Sequence, residues 1–287
     1  MRTPKNKYYL EEVNKAIEFI ESNISRSIGL KEISAASNLS KFHFHRVFKS
    51  IIGNTSKNYL TRLRLEKSSY LLKNTSKKIA NIAFDCGYTS PETFNRAFKS
   101  HFSTSPSQFR KSILKEVKNK QAIYQDTSLE NLSVSEPKIV SIEDLNLAYI
   151  RQFGDYSKIA KPFEELMLWV VKNPTLKLNP NILGIKHDNP DLTEESNIRF
   201  DACVLIQKEI QPEGKIGYKK IKGGKFAIFR YSGAYEAMYS VYDYIYNVCL
   251  FQYGWELRDE VTFEWYIKSP PLYKPEQFVT DFYLPIV

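Results

Sequence analysis

Cysteine is scarce: Cys86, Cys203 and Cys249 are the only three in 287 residues, odd in number and far apart, the last two flanked by apolar neighbours. That pattern excludes a disulfide framework and offers no ligand set for a structural metal. The three read as small buried hydrophobes in a reducing compartment. Long apolar runs are also missing. No stretch approaches the ~18 residues of a membrane span, and the opening MRTPKNKYYLEEV lacks the apolar stretch of a secretory leader. No nucleophile–histidine pair, metal cluster or phosphate-binding loop is legible. His43 and His45 sit two apart, so a helix points them to different sides. These absences predict a soluble cytoplasmic protein with no metal and no cofactor, long enough for two domains that each bury a core.

What is present is unevenly spread. Residues 1–120 carry 23 Lys and Arg against 9 Asp and Glu, a balance of +14. Residues 121–287 carry 18 against 23, a balance of −5. All three Trp and 14 of the 19 Tyr lie after residue 120. Opposite signs imply different partners: a polyanion for the first part, something small or cationic for the second. A domain is expected over 1–114, a polar linker over 115–136 (KEVKNKQAIYQDTSLENLSVSE, with the last helix running on into it), and a second domain over 137–287.

Within the basic part, SKFHFHRVFKS (40–50) returns as SPETFNRAFKS (90–100). LKEISAAS reads as a short helix stopped at Asn38-Leu39, after which Ser40 can cap a helix to about Ile52, before Gly53. KKIANIAFD, the turn Cys86-Gly87-Tyr88 and a helix from Pro91 to about Phe102 repeat the layout, with Ser90 as cap and Pro91 at the first helical position. Each pair is a helix-turn-helix unit, whose second helix enters the major groove. Between them, SKNYLTRLRLEKSSYLLKN has helical spacing and is expected to hold the units at a fixed separation. The first helix, from YYLEEVNKAIEFIESNI, places Leu10, Val13, Ile17 and Ile20 inward with its carboxylates opposite.

On the second helix of the first unit, Phe44, Val47, Phe48 and Ile51 form the core stripe, and Phe42, His45, Arg46 and Lys49 a second, outward one with Lys41 beside it. In the second unit Phe94, Ala97, Phe98 and His101 face inward, while Glu92, Asn95, Arg96 and Lys99 face out near Thr93. Packing accounts for the repeated phenylalanines but not for arginine and lysine kept outward twice. DNA accounts for both: Arg pairs with guanine edges, Asn with adenine, and an aromatic ring or a Thr methyl touches a thymine methyl. Lys49 and Lys99 are placed for phosphates. The competing reading is ion pairing of these arginines with Glu66 or Asp85, or of Arg96 with Glu92.

These segments, with IANIAFDCGYTSPETFNRAFKSHFSTSPSQFRK, closely resemble the DNA-binding domain of the AraC/XylS family of bacterial transcription regulators over about residues 8–112. The resemblance implies a seven-helix, monomeric reader of double-stranded DNA. By position it implies base contacts from Lys41, Phe42, His45 and Arg46, then from Glu92, Thr93, Asn95 and Arg96. An acidic Glu92 facing DNA is either an acceptor for a cytosine amino group or a selective repulsor.

The second part repeats internally too. AYIRQFGDY (148–156) aligns with AIFRYSGAY (227–235) at an offset of 79, and Pro190 and Asp201 align with Pro270 and Asp281 at 80. Each copy reads strand, helix, strand, strand: 146–153, 156–172, 182–187 and 199–207, then 224–231, 235–249, 261–268 and 279–286. Two βαββ units give an α+β domain with its helices on one sheet face and a cleft expected on the other. Asp201 and Asp281 read as repeated turn or strand-end structure. In TFEWYIKSP, alternation separates Phe263, Trp265 and Ile267 from Thr262, Glu264 and Tyr266. With the apolar set placed under the helices, Glu264 and Tyr266 are expected in the cleft. Glu264 falls opposite Gly184 of the first copy and so breaks the repeat. A carboxylate among aromatics suits an organic cation.

This part resembles the GyrI-like effector-binding domain, on LAYIRQFGDY, ILGIKHDNPD, RFDACV, GGKFAIFRYSGAYE and FEWYIKSP. The resemblance implies a central glutamate, by position Glu264, and aromatics receiving lipophilic, often cationic, small molecules; Tyr149, Trp169, Tyr266 and Tyr283 are the candidates. The combined expectation is a non-enzymatic transcription regulator that senses a small effector and works with RNA polymerase as a monomer or weak homodimer. Two alternatives are a hydrolase of an electrophilic ligand, with Glu264 as base near Tyr149 or Tyr266, and an interaction domain without a small ligand.

Overall fold

The structure is a computed structural model that describes residues 4–125, 127–173 and 180–287. The chain divides into two compact units, one of Met1–Lys115 with Pro212–Gly217 and one of Glu116–Gln211 with Tyr218–Val287.

The first unit is helical. Among the described residues it contains α1 (Pro4–Ser22), α2 (Leu30–Ala35), α3 (Lys41–Ile52), α4 (Ser56–Asn74), α5 (Ile79–Asp85), α6 (Pro91–Phe102) and the start of α7 (Pro106–Ile123). Buried residues of α4 include Tyr59, Leu60, Leu63, Leu65, Leu71 and Leu72, which do not share one face. Their spread makes α4 a central pillar, in contact with α1, α2, α3, α5 and α6. Phe44, Phe48 and Tyr59 pack ring against ring, as do Phe94, Phe98, Phe102 and Phe109. Two details differ from the sequence-based stripes. Ile51 is 36% exposed and His101 is exposed with its ring against Phe102, because each lies near its helix end, past the core-facing arc.

Each helix-turn-helix turn is pinned from a neighbouring helix. Glu12, expected on the polar side of α1, is buried and accepts from the Asn38 backbone amide at 2.6 Å, Asn38 Nδ2 at 3.2 Å and Lys15 Nζ at 2.7 Å. At the other turn, Arg64 of α4 lies over the Tyr88 ring while donating to the carbonyls of Ile24 and Arg26 in the α1–α2 connection. Gly87 there has φ +77°, the left-handed region where a side chain is strained.

The second unit is a single antiparallel sheet with helices on one face. Its strands are β1 (Lys138–Ile142), β2 (Leu145–Phe153), β3 (Ile182–Lys186), β4 (Arg199–Ile206), β5 (Ile216–Ile221), β6 (Gly224–Ser232), β7 (Phe263–Lys268) and β8 (Val279–Pro285), in the order β1-β6-β8-β7-β3-β4-β2-β5. Helix α8 (Ala160–Val171) follows β2, and α9 (Met238–Tyr244) follows β6, running on through a π-type turn at Ile245–Cys249 to Gln252. The two strand–helix–strand–strand repeats are present, and β3 and β7 meet at the sheet's centre.

The order adds what the repeat alone did not: β1 precedes the first repeat yet pairs with β6 of the second, and β5 precedes the second yet lies beside β2 of the first. Both are short, lysine-bearing strands on the sheet's edges, where charge discourages unwanted pairing. Within the expected linker, α7 continues to Ile123, and Leu129 and Val134 join the core under α9. Lys120 and Tyr124 both reach Asp243 of α9, at 2.9 and 2.8 Å.

Candidate functional sites

The first site is the outer side of α3 and α6. Ser90 accepts from the Thr93 amide at 3.2 Å and caps α6, while Ser40 holds the same position on α3 through its backbone, its carbonyl accepting from the Phe44 amide at 2.7 Å. With Phe44, Val47 and Phe48, then Phe94 and Phe98, fixed inward, 3.6-residue periodicity leaves the opposite side outward. Lys41, Phe42, His45, Arg46 and Lys49 are all exposed, and so are Glu92, Thr93, Asn95, Arg96 and Lys99. Phe42 is 85% exposed, a large solvent-facing ring that core packing does not explain.

The proposed intramolecular partners of the arginines are engaged elsewhere: Glu66 by Arg62 at 2.9 Å and Asp85 by Lys77 at 2.7 Å. Glu92 sits in the first turn of α6, where its own backbone amide and the Ser90 hydroxyl, with Arg96 a turn further on, hold its carboxyl below the usual range. It therefore presents a negative charge within a basic stripe.

The second site lies in the middle of the sheet. Register places Ile150, Ala202, Gly184, Glu264, Phe282 and Phe229 in one row across β2, β4, β3, β7, β8 and β6. This row faces α8 and α9: Phe163 of α8 packs on Phe200 and Tyr266, and Tyr242 of α9 packs edge-on against Phe282. Glu264 is 1% exposed. Its Oε1 accepts from Tyr242 Oη at 2.7 Å and pairs with Lys186 Nζ at 2.7 Å, and its Oε2 accepts from Tyr266 Oη. The Lys186 ammonium also lies over the rings of Tyr242 (4.6 Å) and Tyr156 (5.5 Å). Tyr235 packs on Tyr266 from the remaining side. Burial pushes the hydroxyls of Tyr156, Tyr235, Tyr242 and Tyr266 up, and nearby charge pushes them further, from Glu264 for all four and first from Asp188 for Tyr156, so these rings stay protonated. Half-buried Tyr156, Phe163, Lys186, Tyr235, Tyr242 and Tyr266 thus ring a fully buried carboxylate.

The expected side of the sheet is corrected by this geometry. Glu264 and Tyr266 do share a face, but it is the one the helices flank. Phe263 and Trp265 lie on the other, packed with Leu147, Leu183, Phe226 and Tyr283 into a second core. Tyr149 and Tyr283 belong to that opposite face, so they do not join Glu264. Tyr283 stacks on Phe263, and Tyr149 carries the Arg151 and Lys219 cations over its ring. Trp169 is half-buried on α8, one residue before Val170 and so rotated off the Phe163–Leu166–Val170 arc that turns to the sheet. Asp201 and Asp281 are not turn residues. Each is a buried mid-strand carboxylate paired with the repeated arginine across from it, Arg151 or Arg230.

The sequence did hold a signal for the residues it missed. The offset of 79 that aligns Tyr156 with Tyr235 also aligns Phe163 with Tyr242, and the offset of 80 aligns Lys186 with Tyr266. All six converge on the pseudo-two-fold between β3 and β7.

A paired helix-turn-helix with basic outward faces, on one chain with a duplicated sheet that holds a carboxylate among tyrosines, defines an AraC-type DNA-binding transcription regulator with a small-molecule-binding domain. The chain belongs to the GyrI-like small molecule binding domain family, which it matches over residues 135–287, and matches a helix-turn-helix domain family over 33–112. It is 24% identical over 244 residues to the transcriptional regulator Rob of Salmonella typhimurium, covering 81% of this chain and 82% of that one. It is 26% identical over 242 residues to the right origin-binding protein of Escherichia coli K12, with the same coverage. A solved AraC-type DNA-binding domain-containing regulator from Chromobacterium violaceum is 28% identical, with a TM-score of 0.34, over 36% of this chain and 91% of that one. Among the described residues no helix is long and apolar enough to cross a membrane.

Proposed function

We propose that this regulator reads promoter DNA through Lys41, Phe42, His45 and Arg46 on α3 and through Glu92, Thr93, Asn95 and Arg96 on α6. Lys49 and Lys99 anchor it to phosphates. The observation that carries this reading is that all ten side chains are exposed on two helices whose other sides are locked into the core. Arg46→Ala and Arg96→Ala are each expected to lose about 1–3 kcal/mol of binding and to relax base preference nearby. Footprints of both variants on the protein's own promoter that match the parent would overturn it.

The effector is a small lipophilic cation that meets Glu264 within the rings of Tyr156, Phe163, Tyr235, Tyr242 and Tyr266. A buried carboxylate already holding an ammonium against two ring faces supports this charge preference. The domain works as a sensor and not as an enzyme, in the cytoplasm, on a monomer or weak homodimer that acts with RNA polymerase. In a thermal-shift screen of lipophilic cations, hits are expected with the parent and lost with Glu264→Gln; equal shifts for both would sink the assignment.

A further inference from the structure

Lys186 makes the contacts that an incoming organic ammonium would make. Its Nζ is 2.7 Å from Glu264 Oε1 and over the Tyr242 and Tyr156 rings at 4.6 and 5.5 Å. Together with the Tyr242 and Tyr266 hydroxyls it leaves the carboxylate fully engaged. Its side chain is 24% exposed, so the ammonium can leave for water along its own stem. It comes from the first repeat, at the position where the second repeat has Tyr266. The lysine thus breaks the duplication as the glutamate does, and the two breaks meet.

Resting on the reading that Glu264 receives the effector, we propose that Lys186 is a tethered occupant of the effector site. In the unliganded protein it neutralises a carboxylate whose burial without a partner would be costly. In binding it is an intramolecular competitor: a cation from solution must expel it, so apparent affinity is lowered by the fraction of time the lysine is seated. It sets the concentration at which the regulator responds, and it makes the site selective for ligands whose apolar body adds what a bare ammonium lacks.

The test uses the full chain and two probes. Lys186→Ala is expected to melt below the parent and to be restored saturably by n-butylammonium, which replaces the missing tail. Uncharged n-butanol should not restore it, and n-butylammonium should restore neither the parent nor Lys186→Ala/Glu264→Gln. Tetraphenylphosphonium, measured by equilibrium dialysis, should bind Lys186→Ala about tenfold or more tighter than the parent. Lys186→Met, which keeps the apolar stem, serves for dialysis if the alanine variant does not fold. No saturable rescue by n-butylammonium, or unchanged tetraphenylphosphonium affinity in the lysine variants while Glu264→Gln weakens it, overturns the tethered occupant and leaves the effector site standing. Binding to the parent that ignores Glu264→Gln, or no binding to any variant, overturns the effector site itself.

Discussion

Gly184 and Glu264 face each other across β3 and β7, at equivalent positions of the two repeats. The glycine is needed where it stands. A Cβ there would fall inside contact distance of Tyr266 Oη and 2.9 Å from Phe200 Cζ. Gly184→Ala should therefore cost about 1–3 kcal/mol by overpacking and turn Tyr266 away from Glu264. A urea midpoint equal to the parent's would show that Tyr266 has another place to lie.

Lysine and arginine on the outer stripes should separate in their salt response. Lys49→Ala and Lys99→Ala are expected to weaken binding to all duplexes alike and to reduce the slope of log affinity against log salt by about 1 each. Arg46→Ala and Arg96→Ala should instead change which duplex is preferred. Fluorescence anisotropy over a salt series, on promoter and scrambled DNA, reads both effects. Lysine variants that discriminate by sequence would move these residues from phosphates to bases.

Glu12 should make the helical unit acid-sensitive. Burial alone would raise its pKa, but the Asn38 amide, Lys15 and the Asn38 side chain outweigh it and hold the group below its ordinary 4.5. A depressed carboxylate contributes stability above its unfolded value, and that contribution fades as the pH falls through the folded one. Glu12→Gln should cost about 1–3 kcal/mol at neutral pH, with the gap from the parent closing below pH 4.5. A gap independent of pH would mean that the charge on Glu12 is immaterial.

His187 gives the sheet unit a titration of the same sign at higher pH. It is buried, 2.7 Å from Asp201, and shares that carboxylate with Lys219 and Arg151. Burial first, then Lys219 and Arg151, push its pKa from 6.5 down to about 4 against the pull of Asp201. The unfolded chain binds a proton here before the folded one does. Stability should thus fall from pH 6.5 toward pH 4, by at most about 1.4 kcal/mol per unit. His187→Gln should flatten that slope in urea titrations; an unchanged slope would assign it to other groups.

Local chemistry made much of this legible. Serines before each recognition helix, Gly53 after the first, and apolar residues three and four apart place α3 and α6 and choose their outward sides. Alternation along FEWYIK correctly joins Glu264 to Tyr266. It could not choose the face, because that decision belongs to what packs above and below, and here both sides of the sheet are apolar: Phe229 and Phe282 on one, Phe226 and Phe263 on the other. Strands β1 and β5 escaped because five or six residues with lysines carry little pattern before their neighbours are known. Residue type places Glu12 outward, and only the turn at Asn38, some two dozen residues later, explains its burial.

The exchanged edge strands carry a consequence for how the duplication can be taken apart. Since β1 completes the far copy and β5 the near one, neither copy owns its own border. A gene fragment cut between the two halves would encode a piece lacking its proper hem and carrying a spare ribbon meant for its twin. Such halves should be recovered as a matched pair when co-expressed, and singly as aggregates; a half that is soluble and folded alone would show that its border strand is dispensable.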